Sequence, residues 1–122
     1  MDLKGKTLGL VGLGPIGVDM ARLGAGVGMR LVGWTRSATP DRAVHGLKLV
    51  PLEELFSTAD VVSIHLSLNA QTERLVSRAL LERMKPSAYF INTSRAKIVD
   101  TQALGELLQQ GKIAGAALDV HE

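Results

Sequence analysis

Thr7-Leu8-Gly9-Leu10-Val11-Gly12-Leu13-Gly14-Pro15-Ile16-Gly17 is the stretch on which the fold turns. Thr7 to Val11 is a short apolar run of the kind that forms a strand buried on both faces. Glycines at 12, 14 and 17 follow it in G-x-G-x-x-G spacing. Pro15 suits the first turn of a helix, where its missing N–H leaves no hydrogen bond unmade. Behind it Ile16, Met20, Leu23 and Val27 recur at helical spacing, which predicts the stripe that packs on a sheet. Gly28 is the expected stop. Gly24 and Gly26 weaken the last turn without a reason visible in the sequence. In a strand–loop–helix context the first glycine permits a tight turn, the second lets a pyrophosphate approach the backbone, and the third lets helix and strand pack closely. The helix N-terminus attracts the phosphate charge. A glycine-rich turn without a ligand is the plainer reading, and the context favours a dinucleotide over it.

Outward from this motif the chain alternates. Leu31–Trp34 reads as a second strand, and Thr39-Pro40 as a cap and first-turn proline opening a short helix. Leu47–Val50 is a third strand, and Pro51 opens a helix through Phe56. Asp60–Leu66 carries Val61, Val62, Ile64 and Leu66 in a strong strand. Ser77 caps a helix with Leu80, Leu81 and Met84 on one face, closed by Lys85-Pro86. Ala88–Ile91 is a strand. Asp100 caps a helix over Thr101–Gln110, with Leu104, Leu107 and Leu108 turned inward and Gly111 as its stop. Ala114–Val120 is the last strand. Alternation of this kind predicts an α/β Rossmann fold: a doubly wound parallel sheet of about six strands with helices on both faces. No linker or repeat divides residues 1–122, so a single dinucleotide-binding domain is expected.

Composition narrows the classes. No apolar run approaches the roughly 20 residues of a membrane-spanning helix, and no signal peptide is visible at the start. No cysteine is present, which excludes disulfides and thiolate chemistry and fits a cytoplasmic setting. Lys and Arg number 14 against 12 acids, and aromatic residues make up 3%. The bases are scattered, not gathered in a stripe with stacking rings, so no nucleic-acid partner is expected. Three separate histidines give no metal-ligand spacing, so no metal is expected. Ser94, His65 and Asp119 could suggest a hydrolase triad, but the G-x-S-x-G elbow is missing.

At the end of the second strand a dinucleotide fold ordinarily places an acid on the ribose 2′-hydroxyl. Here Trp34-Thr35-Arg36-Ser37 stands instead, with Thr35 at the acid's position. Arg36 and Ser37 could meet a 2′-phosphate, so NADP is expected to be tolerated or preferred beside NAD. A solvated loop charge is the other reading of Arg36. Trp34 packs within the strand or borders the adenine pocket.

Several stretches resemble the signatures of the D-isomer-specific 2-hydroxyacid dehydrogenases, of the glyoxylate/hydroxypyruvate reductase and phosphoglycerate dehydrogenase type. They are residues 9–17, Asp60-Val61-Val62-Ser63-Ile64-His65-Leu66, Met84-Lys85-Pro86, Ile91-Asn92-Thr93-Ser94-Arg95, Ile98-Val99-Asp100 and Ala114-Gly115-Ala116-Ala117-Leu118-Asp119-Val120, in family order over nearly the whole chain. The resemblance implies hydride transfer between a nicotinamide cofactor and a 2-oxo or 2-hydroxy acid. It implies that Gly12, Gly14, Pro15, Ile16, Gly17, Trp34, Thr35, Arg36 and Ser37 bind the cofactor. Thr93, Ser94 and Asp119 would line the nicotinamide pocket, and Arg95 would be the catalytic arginine that grips the substrate carboxylate, a task suited to a guanidinium fork. It further implies an acid–base histidine and its glutamate beyond Glu122, a substrate domain outside this sequence, and inactivity of the present chain alone; apolar surface that such a domain would cover predicts self-association as a homo-oligomer. Ala96 and Lys97 follow the arginine where the family usually has glycine first, and Ser67 and Asn69 replace a common proline and threonine. An alanine at a position needing positive φ would strain the loop. A stand-alone nucleotide-binding module is the alternative, and an S-adenosylmethionine-binding Rossmann domain is disfavoured by the full set of stretches.

Overall fold

The computed structural model describes residues 2–36 and 46–118. In chain order these form β1 (Thr7–Val11), α1 (Pro15–Gly26), β2 (Arg30–Trp34), β3 (Leu47–Leu49), α2 (Leu52–Thr58), β4 (Val61–Ile64), α3 (Arg78–Leu81), β5 (Tyr89–Asn92), a 3-10 turn (Ala96–Ile98), α4 (Thr101–Gln109) and β6 (Gly115–Leu118). The six strands make one sheet in the order β3-β2-β1-β4-β5-β6, and every neighbouring pair is parallel. The chain winds outward from β1 to β3, then crosses back to β4. The reversal therefore lies between β1 and β4, the switch point at which a doubly wound Rossmann sheet opens a crevice. The helix expected from Thr39-Pro40 lies outside the described residues.

Side-chain alternation along the strands splits the core in two. Val11, Val62, Ile64 and Phe90 join Leu55, Phe56, Leu81, Leu104 and Leu107 under α2, α3 and α4. Leu8, Leu10, Leu31 and Val61 face the other way, with Ala21 of α1. Two of the expected caps are present: Ser77 Oγ accepts from the Leu80 amide and Asp100 Oδ1 from the Ala103 amide. At the opposite end of the sheet Asp60 accepts from the Thr7 amide at 2.8 Å and from Lys85 Nζ at 3.2 Å. Burial pushes its carboxyl up, but these two partners outweigh burial and hold it below the ordinary carboxylate value.

The face of α1 that packs on the sheet is not the expected one. Gly17, Val18, Ala21 and Gly24 are buried, whereas Ile16, Leu23 and Val27 are 70%, 67% and 53% exposed. Close approach explains the inversion. A Cβ at Gly24 would stand 2.7 Å from Leu8 Cδ2, so only a face of small residues lets the helix lie this near the strands. Gly24 thereby gains its reason, while nothing in the structure explains Gly26. Leu23 and Val27 turn outward and, with Met20, form one wall of an open groove of about 560 Å³ floored by Val61, Tyr89, Ile91 and Ala117. Helix α1 does stop as expected: Gly28, at φ 86, turns the chain, and the Met29 amide closes back on the Gly24 carbonyl.

Candidate functional site

Register places the candidate residues along one edge. Trp34, Val11, Ile64, Asn92 and Leu118 are successive partners across β2, β1, β4, β5 and β6. The residues just past them, Thr35, Gly12, His65 and Thr93, therefore line the carboxyl edge of the sheet. Three strand spacings, about 14 Å, separate the ends of β2 and β5.

The three glycines of the loop after β1 differ in what they do. Gly12 has φ 102, and its amide donates to the Trp34 carbonyl at 2.8 Å. A Cβ there would lie 2.5 Å from the His65 carbonyl oxygen. A Cβ at Gly17 would lie 2.4 Å from the Gly12 carbonyl oxygen. Both are packed against the protein itself. Gly14 has nothing within 4 Å of where its Cβ would stand, and Gly14, Pro15 and Ile16 are exposed. Gly14 is the N-cap of α1; its side carries no capping hydrogen bond, and the first turn holds no acid. Two glycines thus shape a cradle, and the third leaves space at the positive end of a twelve-residue helix. This fits the pyrophosphate of a dinucleotide.

At the end of β2, Trp34 packs against the larger core cluster. Thr35 is half-buried and Arg36 exposed. Ser37, like Asp119, lies outside the described residues.

At the end of β5, the buried Asn92 brackets a loop. Its Oδ1 accepts from the Ser94 amide at 2.9 Å, and its Nδ2 donates to the Arg95 carbonyl at 3.2 Å. Ser94 Oγ donates to the Ile64 carbonyl at 3.1 Å, tying this loop to the end of β4. Thr93 and Arg95 are exposed on the edge so formed. The position of Ala96 does not take positive φ, so alanine is unstrained there. Ala96 opens a 3-10 turn, and among the described non-glycine residues only Arg74 has positive φ, at 56. The Arg74 amide donates a hydrogen bond to the Lys97 carbonyl, and its guanidinium pairs with Asp100. Ser67 and Asn69 build a turn of their own. Asn69 Oδ1 accepts from the Gln71 and Thr72 amides, and Thr72 Oγ1 donates to the Ser67 carbonyl.

His65 stands between the two loops. Its Nε2 is 2.8 Å from Ser63 Oγ, and burial pushes the imidazole below its ordinary pKa. Ser94 is bonded to the Ile64 backbone and His65 to Ser63, so the two do not form a nucleophile–base pair. Sequence reading gave no role to Ser63 or Asn92. The available signal was a polar residue inside an apolar strand, since a buried polar group must be hydrogen-bonded to something.

One unfolding prediction follows from His65. A neutral, buried histidine binds fewer protons than its unfolded counterpart just below the unfolded pKa of about 6.5. Its contribution to stability is complete above that pH and lost as pH falls through it. Chemical denaturation between pH 7.5 and 5.5 should show stability falling with acid, and His65→Gln should flatten the slope. Equal slopes in both proteins would show that His65 is not the group responsible.

The description "D-isomer specific 2-hydroxyacid dehydrogenase, NAD binding domain" belongs to the family whose profile matches residues 1–122. A glyoxylate reductase from Thermococcus litoralis is 43% identical over 121 residues, covering 98% of this chain and 37% of that protein. The chain thus spans little more than a third of that relative's length. A D-isomer specific 2-hydroxyacid dehydrogenase from Lactobacillus delbrueckii ssp. bulgaricus, solved in an NAD-complexed form, superposes with a TM-score of 0.91 at 35% identity, covering 98% of this chain and 37% of that one. An acyclic imino acid reductase, solved with NADPH and D-Arg, superposes at 0.90 with 38% identity, covering 97% and 38%.

Proposed function

Because the chain belongs to the NAD-binding-domain family of the D-isomer specific 2-hydroxyacid dehydrogenases, we propose that it holds and orients a nicotinamide dinucleotide for hydride transfer to and from a 2-oxo or 2-hydroxy acid in a larger cytoplasmic enzyme. The carrying observation is the shared edge. The Gly12–Gly17 cradle and the Arg95 loop follow β1 and β5, the two strands that flank β4 in one parallel sheet, and both meet the end of β4 at Ile64 and His65. In this reading Gly12, Gly14, Pro15, Ile16 and Gly17 hold the pyrophosphate. Trp34, Thr35, Arg36 and Ser37 border the adenosine end, and Thr93, Ser94 and Asp119 border the nicotinamide. Arg95 grips the substrate's carboxylate. The cofactor supplies the hydride chemistry, and the domain supplies binding and orientation. Titration with NADH and NADPH, followed through Trp34 fluorescence, tests the proposal; saturable quenching supports it, and no response to either nucleotide overturns it.

Cofactor preference is the finer part. Thr35 places no carboxylate where a 2′-phosphate would sit, and Arg36 adds a cation beside it. NADPH binding at least comparable to NADH binding is expected. Thr35→Asp should shift the ratio toward NADH by about tenfold, or ~1.4 kcal/mol, well within the ~4 kcal/mol exchanged by two unit charges 4 Å apart near a protein surface. An unmoved ratio would remove Thr35 from the ribose site.

A homo-oligomer is the second finer part. The α1 stripe of Leu23 and Val27 is exposed along the apolar groove it walls. A two-fold pairing would therefore let each copy's stripe enter the other's groove, as a self-complementary interface requires. Light scattering of the 122-residue chain should report a dimer, and Leu23→Glu should return it to monomer. A monomer at every concentration would refute self-association through this face.

A further inference from the structure

Ser63 is buried in a strand whose other residues, Val61, Val62 and Ile64, are all aliphatic. A hydroxyl taken out of water destabilises the fold unless it is bonded, and here its recorded partner is His65 Nε2. The sheet does not need that hydroxyl: a valine would serve the strand as well. What the pair achieves lies above it. The His65 amide donates to the Val11 carbonyl at 2.7 Å, so the residue continues the ladder beside the last residue of β1. The His65 carbonyl lies against Gly12, and its Cβ lies 3.5 Å from where a Cβ of Gly17 would stand. On the other flank the preceding carbonyl, that of Ile64, accepts from Ser94 Oγ in the Arg95 loop.

We infer that Ser63 fixes the His65 imidazole as a wedge between the dinucleotide cradle and the Arg95 loop, making His65 a positioning residue that holds the two halves of the site in register. This rests on the dinucleotide reading of the cradle. His65 meets the loop through its carbonyl and Cβ, and its ring is held by the hydrogen bond to the buried Ser63. Removing that bond lets the ring rotate, loosening Gly12 and Gly17 together with the Ile64–Ser94 tie.

Four variants test this. Ser63→Ala deletes the bond, and Ser63→Thr keeps a hydroxyl. His65→Phe keeps a ring without the bond, and His65→Gln keeps a polar group at the Nε2 position. NADH affinity should fall about 3- to 10-fold in Ser63→Ala and His65→Phe, the worth of one neutral hydrogen bond. Ser63→Thr and His65→Gln should stay within about twofold of the parent. Imidazole ¹⁵N shifts, assigned to His65 with His45→Gln and His121→Gln, should report one tautomer in the parent, move on NADH addition, and average between tautomers in Ser63→Ala. Parental NADH affinity in both Ser63→Ala and His65→Phe, or His65 shifts unmoved by NADH, overturns the wedge. A parent chain that binds no dinucleotide overturns the functional reading beneath it as well, so the two failures are told apart. Should Ser63→Ala fail to fold, the His65→Gln and His65→Phe comparison decides: equal affinities refute the inference.

Discussion

Gly14→Val should melt with the parent protein and bind NADH about 100-fold more weakly or not at all. Both halves of that outcome come from the same geometry. Gly14 has φ −74 and extended backbone, a conformation valine adopts without strain, and nothing lies within 4 Å of its would-be Cβ. The new side chain therefore meets no protein. It would occupy the space above the α1 N-terminus in which a pyrophosphate accepts backbone amides, and displacing two charge-assisted hydrogen bonds at about 1.5–3 kcal/mol each exceeds two decades in affinity. Gly17→Ala should behave the opposite way. Its Cβ would lie against the Gly12 carbonyl oxygen, a backbone atom with no freedom to swing aside, and overpacking of this kind costs about 1–3 kcal/mol, or about 4–12 °C in Tm for a chain of this size. Differential scanning fluorimetry paired with NADH titration separates the two. If Gly14→Val remains folded with parental affinity, the loop does not bind the dinucleotide.

The reading of the glycine loop and of the succession of strands and helices needed only local signals. Each strand was a short apolar run bounded by glycine, proline or a capping residue, and those determinants lie within a few positions of one another. Ser77 and Asp100 were legible as caps for the same reason. The packing face of α1 was not. Periodicity picks out the largest apolar side chains, here Ile16, Met20, Leu23 and Val27, on the premise that size seeks the core. Against a parallel sheet approached this closely the smallest residues win, because Gly17, Ala21 and Gly24 are what the neighbouring backbone and Leu8 leave room for. The outcome depends on inter-element distance, which no window of sequence encodes. The conformation after Arg95 was hidden similarly: whether Ala96 needs positive φ depends on how Val99 pairs with Val76 and how Arg74 takes up the left-handed turn. Asn92 and Ser63 were visible as polar residues in apolar strands, yet their partners, Arg95 and His65, emerge only when the strand ends are laid side by side.

Supplied with NADH or NADPH and glyoxylate, hydroxypyruvate or pyruvate, the 122-residue chain should show no detectable turnover. Reduction of a 2-oxo acid places negative charge on the carbonyl oxygen as the hydride arrives, and a positioned acid must protonate it. Arg95, on the exposed edge past β5, can orient a carboxylate but cannot give up a proton at neutral pH. His65 is a poor donor: burial favours its neutral form, and its Nε2 is engaged by Ser63. Loss of a general acid lowers a rate roughly 10²–10⁴-fold. The family resemblance assigns that acid, and the surface that closes over the substrate, to sequence outside these residues. Without that surface the proximity contribution, worth about 7–11 kcal/mol in favourable cases, is lost as well. These losses compound, because a 2-oxo acid held by one exposed guanidinium samples many orientations toward the nicotinamide, few of them with an acid at hand. The discriminating comparison is the parent chain against Arg95→Ala at equal concentration, with nicotinamide oxidation followed by absorbance. Turnover that disappears with Arg95 would place a competent proton donor within these 122 residues, and His65 would be the first to replace.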